Sequence, residues 1–322
     1  MADGRLRMVP ERLRILKYPW HTAHDYELAK LPHEFLYLSG TGRVWATAHR
    51  PMPENVTSVS SLGERRSDLM ILHLDQWSWH ETSKRFLFLR LRDRYRGPRV
   101  VIIHGCNLVD GCASERMREL TDGCHVVVNS ETAKRCWEIP GATFIRHGMS
   151  PEEWPATDYR LNNVVMVQSA YPRHALVRNQ EGIERASRKV PLTWIGRDVV
   201  FGSFSEYREF LARSSVFFNP SFASSNPRAR TEAMLCGLAV VTTAMHGESE
   251  YIDNGVNGYC SNEIDELVDF MLFLRAHPRR AREIGEAGRA TARRLFTIER
   301  FVAEWQRLLC SVINTATSGD RR

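Results

Sequence analysis

Five short apolar runs set the frame of this chain: RVVIIHG at 99–105, HVVVNS at 125–130, ATFIRHG at 142–148, VVMVQS at 164–169 and LTWIGR at 192–197. In the first of them odd and even positions are both apolar, so neither face of the strand can meet water. Such strands occur inside parallel sheets covered by helices on both sides. Further strands are expected at 13–17, 35–38, 56–59 and 68–73. Between them, helices are expected at about 25–30 and at 79–96, the latter stopped by Gly97 and Pro98. Strands alternating with helices define an α/β chain with doubly wound sheets.

Residues 149–163 are polar, carry Pro151 and Pro155, and separate two such αβ series. They read as a linker between an N-terminal domain, 1–155, and a C-terminal domain, 156–295, a division that a length of 322 residues allows. In open α/β sheets ligands lie beyond the carboxyl ends of the strands, so two such domains facing one another make a cleft. His73, His104, Ser130, His147, Arg173 and Arg197 each stand at or just past a strand end. Helices are expected at 265–276, 279–295 and about 298–313, with a frayed tail after Thr315.

No apolar stretch is long enough to span a bilayer, and 1–17 has no apolar signal core, so the cytoplasm is the expected compartment. The seven cysteines form no CxxC pair and read as buried thiols rather than disulfides or zinc ligands. The net charge of +6 divides equally, with 22 basic and 19 acidic residues on each side of position 155, and favours anionic ligands only in a general way. There is no GxGxxG for a nicotinamide cofactor and no Gly-x-Ser-x-Gly elbow for a serine nucleophile.

The segment 219–258 carries the most chemistry. Asn226 followed by Pro227 reads as a helix start, with Asn capping the free backbone donors and Pro at the first helical position. The helix runs to Gly237, a left-handed stop, and a strand follows at 238–243. Loop, helix N-terminus and buried strand together make an anion site suited to a diphosphate. Glu232 is an acid in a mostly apolar part of that helix. A solvated face is the plainer reading of it alone; a pair of ribose hydroxyls is the sharper one.

From about 164 to 309 the chain resembles the donor-binding half of the GT-B glycosyltransferases, in particular the large retaining group with two glutamates separated by seven residues. Phe217, Phe218, Asn219, Pro220 and Ser221 resemble that group's strand and its Pro-Ser end. EAMLCGLAVVTT at 232–243 resembles its Glu-Ala-Met-Ala-Cys-Gly-x-Pro-Val-Val motif, HGESEYI at 246–252 its Gly-Gly-x-x-Glu-x-Ile loop, and DNGVNG at 253–258 the turn after it. One position departs: Ser224 stands where the group has its first glutamate.

The resemblance implies two Rossmann-like domains facing across a cleft, with a C-terminal helix (296–316) packing back on the first. It implies a nucleoside-diphosphate sugar as co-substrate, most often a UDP-sugar, and no other cofactor. Many sugar transferases hold a metal with an Asp-x-Asp pair, and none occurs here. The resembled group instead uses an Arg and a Lys five residues apart, matched by Arg173 and Arg178, which would stabilise the departing diphosphate. Glu232 carries over as the ribose anchor. Ser224, Ser225, Asn226, Arg228, Arg197 and Gly247 complete the expected donor site. His104 carries over as the strand-end histidine of the acceptor domain and His73 as the earlier one; His21, His24 and Ser130 line the same side.

The expected function is metal-independent, retaining transfer of a sugar to a hydroxyl acceptor. Alternatives on the same frame are a sugar-nucleotide epimerase, a phosphorylase, or a sugar-nucleotide-binding protein without turnover. For the acceptor, residues 83–99 hold seven basic residues against one acid, interleaved with Phe86, Phe88 and Tyr95. A solvated helix face explains this. A surface guiding a polyanion is the sharper reading, either DNA with hydroxymethylated bases, flipped out for transfer, or an anionic glycan.

Overall fold

The computed structural model describes residues 12–79, 82–107, 113–167, 179–222, 226–244 and 251–319. The first series consists of β1 (Arg14–Lys17), α1 (Thr22–Leu28), β2 (Glu34–Leu38), β3 (Val56–Val59), β4 (Leu69–Leu74), α2 (Thr82–Arg94), β5 (Arg99–Ile103), α3 (Ser114–Thr121), β6 (His125–Val128), α4 (Glu131–Trp137) and β7 (Thr143–Phe144). The second consists of β8 (Val164–Val167), α5 (Gln180–Ser187), β9 (Leu192–Ile195), α6 (Phe204–Leu211), β10 (Val216–Asn219), α7 (Arg228–Cys236), β11 (Ala239–Thr242), β12 (Tyr259–Cys260), α8 (Ile264–Ala276), α9 (Pro278–Leu295) and α10 (Ile298–Gly319).

All strand pairs are parallel. The first sheet has the order β3-β2-β1-β4-β5-β6-β7 and the second β12-β11-β10-β8-β9. In each the chain reverses its direction of travel once, between β1 and β4 and between β8 and β10. Crevices open at these switch points.

The two-sided apolar runs are buried as their pattern demands. On one face of the first sheet Leu16, Met70, Leu72, Val101, Ile103 and Val128 pack under Phe88, Met117 and Trp137 from α2, α3 and α4. On the other, Ile15, Phe35, Ile71, Val100 and Ile102 pack under Leu28 of α1 and Phe301, Trp305, Leu309 and Val312 of α10. The final helix of the chain thus covers the first sheet. In the second sheet Val164, Met166, Val216 and Phe218 pack against α5, α8 and α9, and Val165, Phe217 and Val240 against α6 and α7.

Several expectations shift. Helix 25–30 begins earlier, at Thr22, because the carbonyl of His21 accepts from both His24 and Asp25. Run 142–148 forms only two strand residues before turning beneath α10. A Cβ on Gly148 would lie 2.4 Å from Phe301 and 2.7 Å from a backbone oxygen, so the chain can pass there only as glycine. Within the 149–163 segment Met149 and Trp154 are buried and join the second domain's core, Trp154 at 1% exposure. The last helix continues past Thr315 to Gly319. Among the described residues Cys106 and Cys236 are buried, Cys124, Cys136 and Cys260 are partly exposed and Cys310 is exposed; Cys112 lies outside the described residues. No described helix is long and apolar enough to cross a membrane.

Candidate active site between the two sheets

α7 meets the N-terminal domain with its first turn and a half. Ala229, Ala233, Met234 and Leu235 favour the helix, and Gly237 ends it in the left-handed region at φ 87°. The start differs from the sequence expectation. Pro227 occupies the capping position with ψ 117°, and no side chain caps the helix. Asn226 instead accepts a 2.9 Å hydrogen bond from Arg230, a buried guanidinium that also bonds Tyr251. Arg230 and Thr231 donate their backbone N–H groups to the Pro227 carbonyl, and the first peptide dipoles of the helix keep their positive field at this end for whatever faces them.

What faces them comes from the other domain. Glu232 is 4% exposed. It takes an ion pair from Arg50, in the loop between β2 and β3, and a 2.8 Å hydrogen bond from the Tyr207 hydroxyl of α6. Thr231 bonds His147 at 3.0 Å. Arg228 lies 3.5 Å from Glu27 of α1, whose carboxylate is already paired with Lys30 at 2.7 Å. Among the described residues the three buried guanidinium nitrogens of Arg228 have no hydrogen-bond partner. Burial lowers the Arg228 pKa, opposed by Glu27, and raises that of Glu27. A buried guanidinium short of acceptors is expensive, and an incoming anion would supply them.

Above this contact lies a histidine cluster at the carboxyl edge of the first sheet. A fully buried Lys17–Asp25 pair, with Asp25 also accepting the Trp20 N–H at 3.0 Å, folds the β1–α1 loop over the sheet edge. That loop carries Trp20 and His21 into the cleft. His73 Nδ1 and His104 Nε2 are 2.9 Å apart, and Trp20 stacks on both rings at 5.7 and 6.1 Å. His24 meets His104 edge-on at 5.1 Å. Burial, reinforced by neighbouring imidazoles and cations, holds His24, His73 and His104 well below the usual histidine range. They are neutral at pH 7, so in the His73–His104 bond one ring donates and the other accepts. His21 is exposed to the cleft, and the crowding around it, then Arg228, lower its pKa too.

The structure thus brings His21, His24, His73, His104, Arg228 and Glu232 to one region. Other expected residues lie elsewhere. Ser130 is occupied as the cap of α4, accepting from Ala133 N–H at 2.9 Å. Arg197 is exposed, held by Asp198 at 2.7 Å and stacked 3.4 Å from the Trp194 ring. Arg173, Arg178, Ser224, Ser225 and Gly247 lie outside the described residues. Among the described residues no group of three or more His, Cys, Asp or Glu side chains is placed to hold a metal ion. Sequence reasoning missed Arg50, Tyr207 and Glu27. Glu27, an acid inside an otherwise buried helix face, gave a faint signal; Arg50 sits in a loop without periodicity and gave none.

Comparison with known proteins agrees with this frame. Residues 164–276 match the family model described as glycosyl transferases group 1. A stretch of 100 residues, 30% of this chain, is 25% identical to sucrose synthase of Beta vulgaris and spans only 13% of that protein's length. Among solved structures, sucrose-phosphate synthase of Thermosynechococcus elongatus superposes with a TM-score of 0.71 at 13% identity, covering 94% of this chain and 100% of that one. HepE of Anabaena, solved with UDP and glucose, superposes at 0.68 with 16% identity, covering 93% and 100%. The architecture is the GT-B fold, two Rossmann-like domains facing across a cleft.

Proposed function

We propose that this protein is a retaining, metal-independent glycosyltransferase that moves a sugar from a nucleoside-diphosphate donor, a UDP-sugar by preference, to a hydroxyl acceptor. One observation carries the reading: the first turns of α7, inside the segment matching group 1 glycosyl transferases, present Arg228 and Glu232 to a histidine-lined sheet edge of the opposite domain. HepE, similar in fold, has been solved with UDP-glucose, which supports a uridine donor.

In this reading Glu232 anchors the nucleoside. Arg228, the open helix end and the Arg173/Arg178 pair stabilise charge on the leaving diphosphate, which grows in the transition state. His104 orients the acceptor hydroxyl. A neutral imidazole suits that task, because the departing phosphate can itself accept the proton in a retaining transfer.

For the acceptor, the fold divides the basic stretch 83–99. α2 follows β4 and leads into β5, so it starts at the cleft edge and its 13 residues carry the chain about 20 Å away. Arg94 and Arg96 therefore belong to the far edge. Arg92 is held by Asp93 and by the Leu120 carbonyl. The cations near the cleft lie over tryptophan rings: Arg43 and Lys84 over Trp20 at 4.0 and 5.6 Å, Arg85 and Arg116 over Trp79 at 5.0 and 4.9 Å. This favours an anionic acceptor, a nucleic acid or an acidic glycan, received at the cleft edge.

The deciding experiment incubates the protein with a panel of nucleotide sugars and candidate acceptors. Nucleoside diphosphate and a glycosylated product with the donor's anomeric configuration are expected. Tight nucleotide-sugar binding without release of diphosphate would leave the binding-protein reading in its place.

A further inference from the structure

Glu232 is well placed for a ribose, but in the free protein its partners are already protein groups. Tyr207 holds one oxygen from within the same domain, at 2.8 Å. Arg50 holds the other from the opposite domain, across a sequence separation of 182 residues. The Arg50 guanidinium lies 4.0 Å from the Phe204 ring centroid and 5.5 Å from that of Trp154, and its backbone is pinned by a 2.8 Å bond from the Trp45 indole to the Arg50 carbonyl. These surroundings, aromatic faces beside a carboxylate that accepts from adjacent donors, are what a nucleoside requires. One terminal N–H of Arg50 meets Glu232 where a ribose hydroxyl would donate, while the other terminal nitrogen donates to the His49 carbonyl at 2.6 Å.

We propose that Arg50 is an internal stand-in for the donor's ribose. It occupies Glu232 while the site is empty and gives way when a nucleotide sugar enters. This inference rests on the reading of Glu232 as nucleoside anchor. Arg50 is 3% exposed, so it cannot swing aside without stranding a buried charge. The 39–55 loop is held to the first domain by the buried Trp45 and by the Ala46 N–H on Thr22, so Arg50 leaves Glu232 only as that domain shifts. Exchange of Arg50 for ribose therefore couples donor entry to a shift of one domain against the other. Tyr207 travels with Glu232 and keeps the carboxylate aimed at the vacated position.

Calorimetric titration of UDP, with GDP and ADP beside it, into wild type, Arg50→Ala, Arg50→Lys and Glu232→Ala tests this. Removing the competitor should tighten nucleotide binding by about tenfold in Arg50→Ala, with less gain in Arg50→Lys, while Glu232→Ala weakens it by a comparable factor. In X-ray scattering the wild-type profile should change on adding nucleotide, and Arg50→Ala should show the changed profile before any is added. Weaker or unchanged binding in Arg50→Ala would overturn the exchange; should that variant not fold, the same sign test falls to Arg50→Lys. If Glu232→Ala weakens binding but neither Arg50 variant tightens it, only the exchange fails. If Glu232→Ala binds as wild type does, the nucleoside-anchor reading fails with it.

Discussion

At the scale of single residues, the cleft is governed by imidazoles kept uncharged. His24, His73, His104 and His147 are all held well below the usual range, first by burial. In the unfolded chain each would take up a proton near pH 6.5. Below that pH the unfolded state binds more protons, so stability is fully present above about pH 6.5 and declines as pH falls towards the lower folded values. Glu27, raised by burial, runs the other way, but it is one group against four. The melting temperature is therefore expected to drop clearly between pH 7.5 and 5.5, and His73→Gln should flatten that slope; a level profile would mean the rings are charged when folded. A second expectation separates the two walls of the cleft. His104→Ala should depress sugar transfer at least tenfold while nucleotide affinity stays within about twofold, since the proposed function puts the donor contacts on the other domain. Equal losses in kcat and in donor binding would make His104 a packing residue.

At the scale of elements, what could be read from sequence and what could not have the same physical root. The strand at 99–103, and the helices Ile264–Ala276 and Pro278–Leu295, announce themselves because burial on two faces, or on one helical stripe, leaves a periodic trace. Glu232 stood out as an acid in a mostly apolar helix, and His104 as a polar residue at the end of an apolar strand. Arg50 was not, because a contact spanning two domains has no period. The start of α7 was misplaced for a local reason: Asn226, at φ 146°, turns its side chain to Arg230 rather than to the helix end. Close packing between elements yields a further expectation. A Cβ on Gly285 of α9 would stand 2.0 Å from the Gly237 carbonyl at the end of α7. Gly285→Ala must push these helices apart and should cost about 1–3 kcal/mol in urea unfolding, lowering donor affinity as α7 shifts. Wild-type stability in that variant would show the interface to be loose.

At the scale of the whole molecule, the sheets present their carboxyl edges to each other, and the contacts between the domains include the polar pairs Arg50–Glu232, Arg228–Glu27 and His147–Thr231 beside ring contacts such as Tyr26–Phe204. Interfaces of that kind permit relative domain motion. The same geometry gives two basic regions different tasks. If the acceptor is a polyanion, charge reversal at Arg43 and Arg116 should abolish transfer, whereas reversal at Arg94 and Arg96, at the far end of α2, should reduce only salt-sensitive general binding. Retention on DNA or heparin columns across a salt gradient, beside transfer assays, distinguishes these outcomes; loss of transfer from the Arg94 and Arg96 variant alone would place the acceptor elsewhere.

α10 adds a constraint in time. One face of the first sheet is closed by Phe301, Trp305, Leu309 and Val312, which leave the ribosome after the whole second domain has been made. At ordinary elongation rates the exposed face waits on the order of ten seconds. The domain translated first is thus the one completed last, and for that interval its apolar strands depend on being shielded by something other than their own chain.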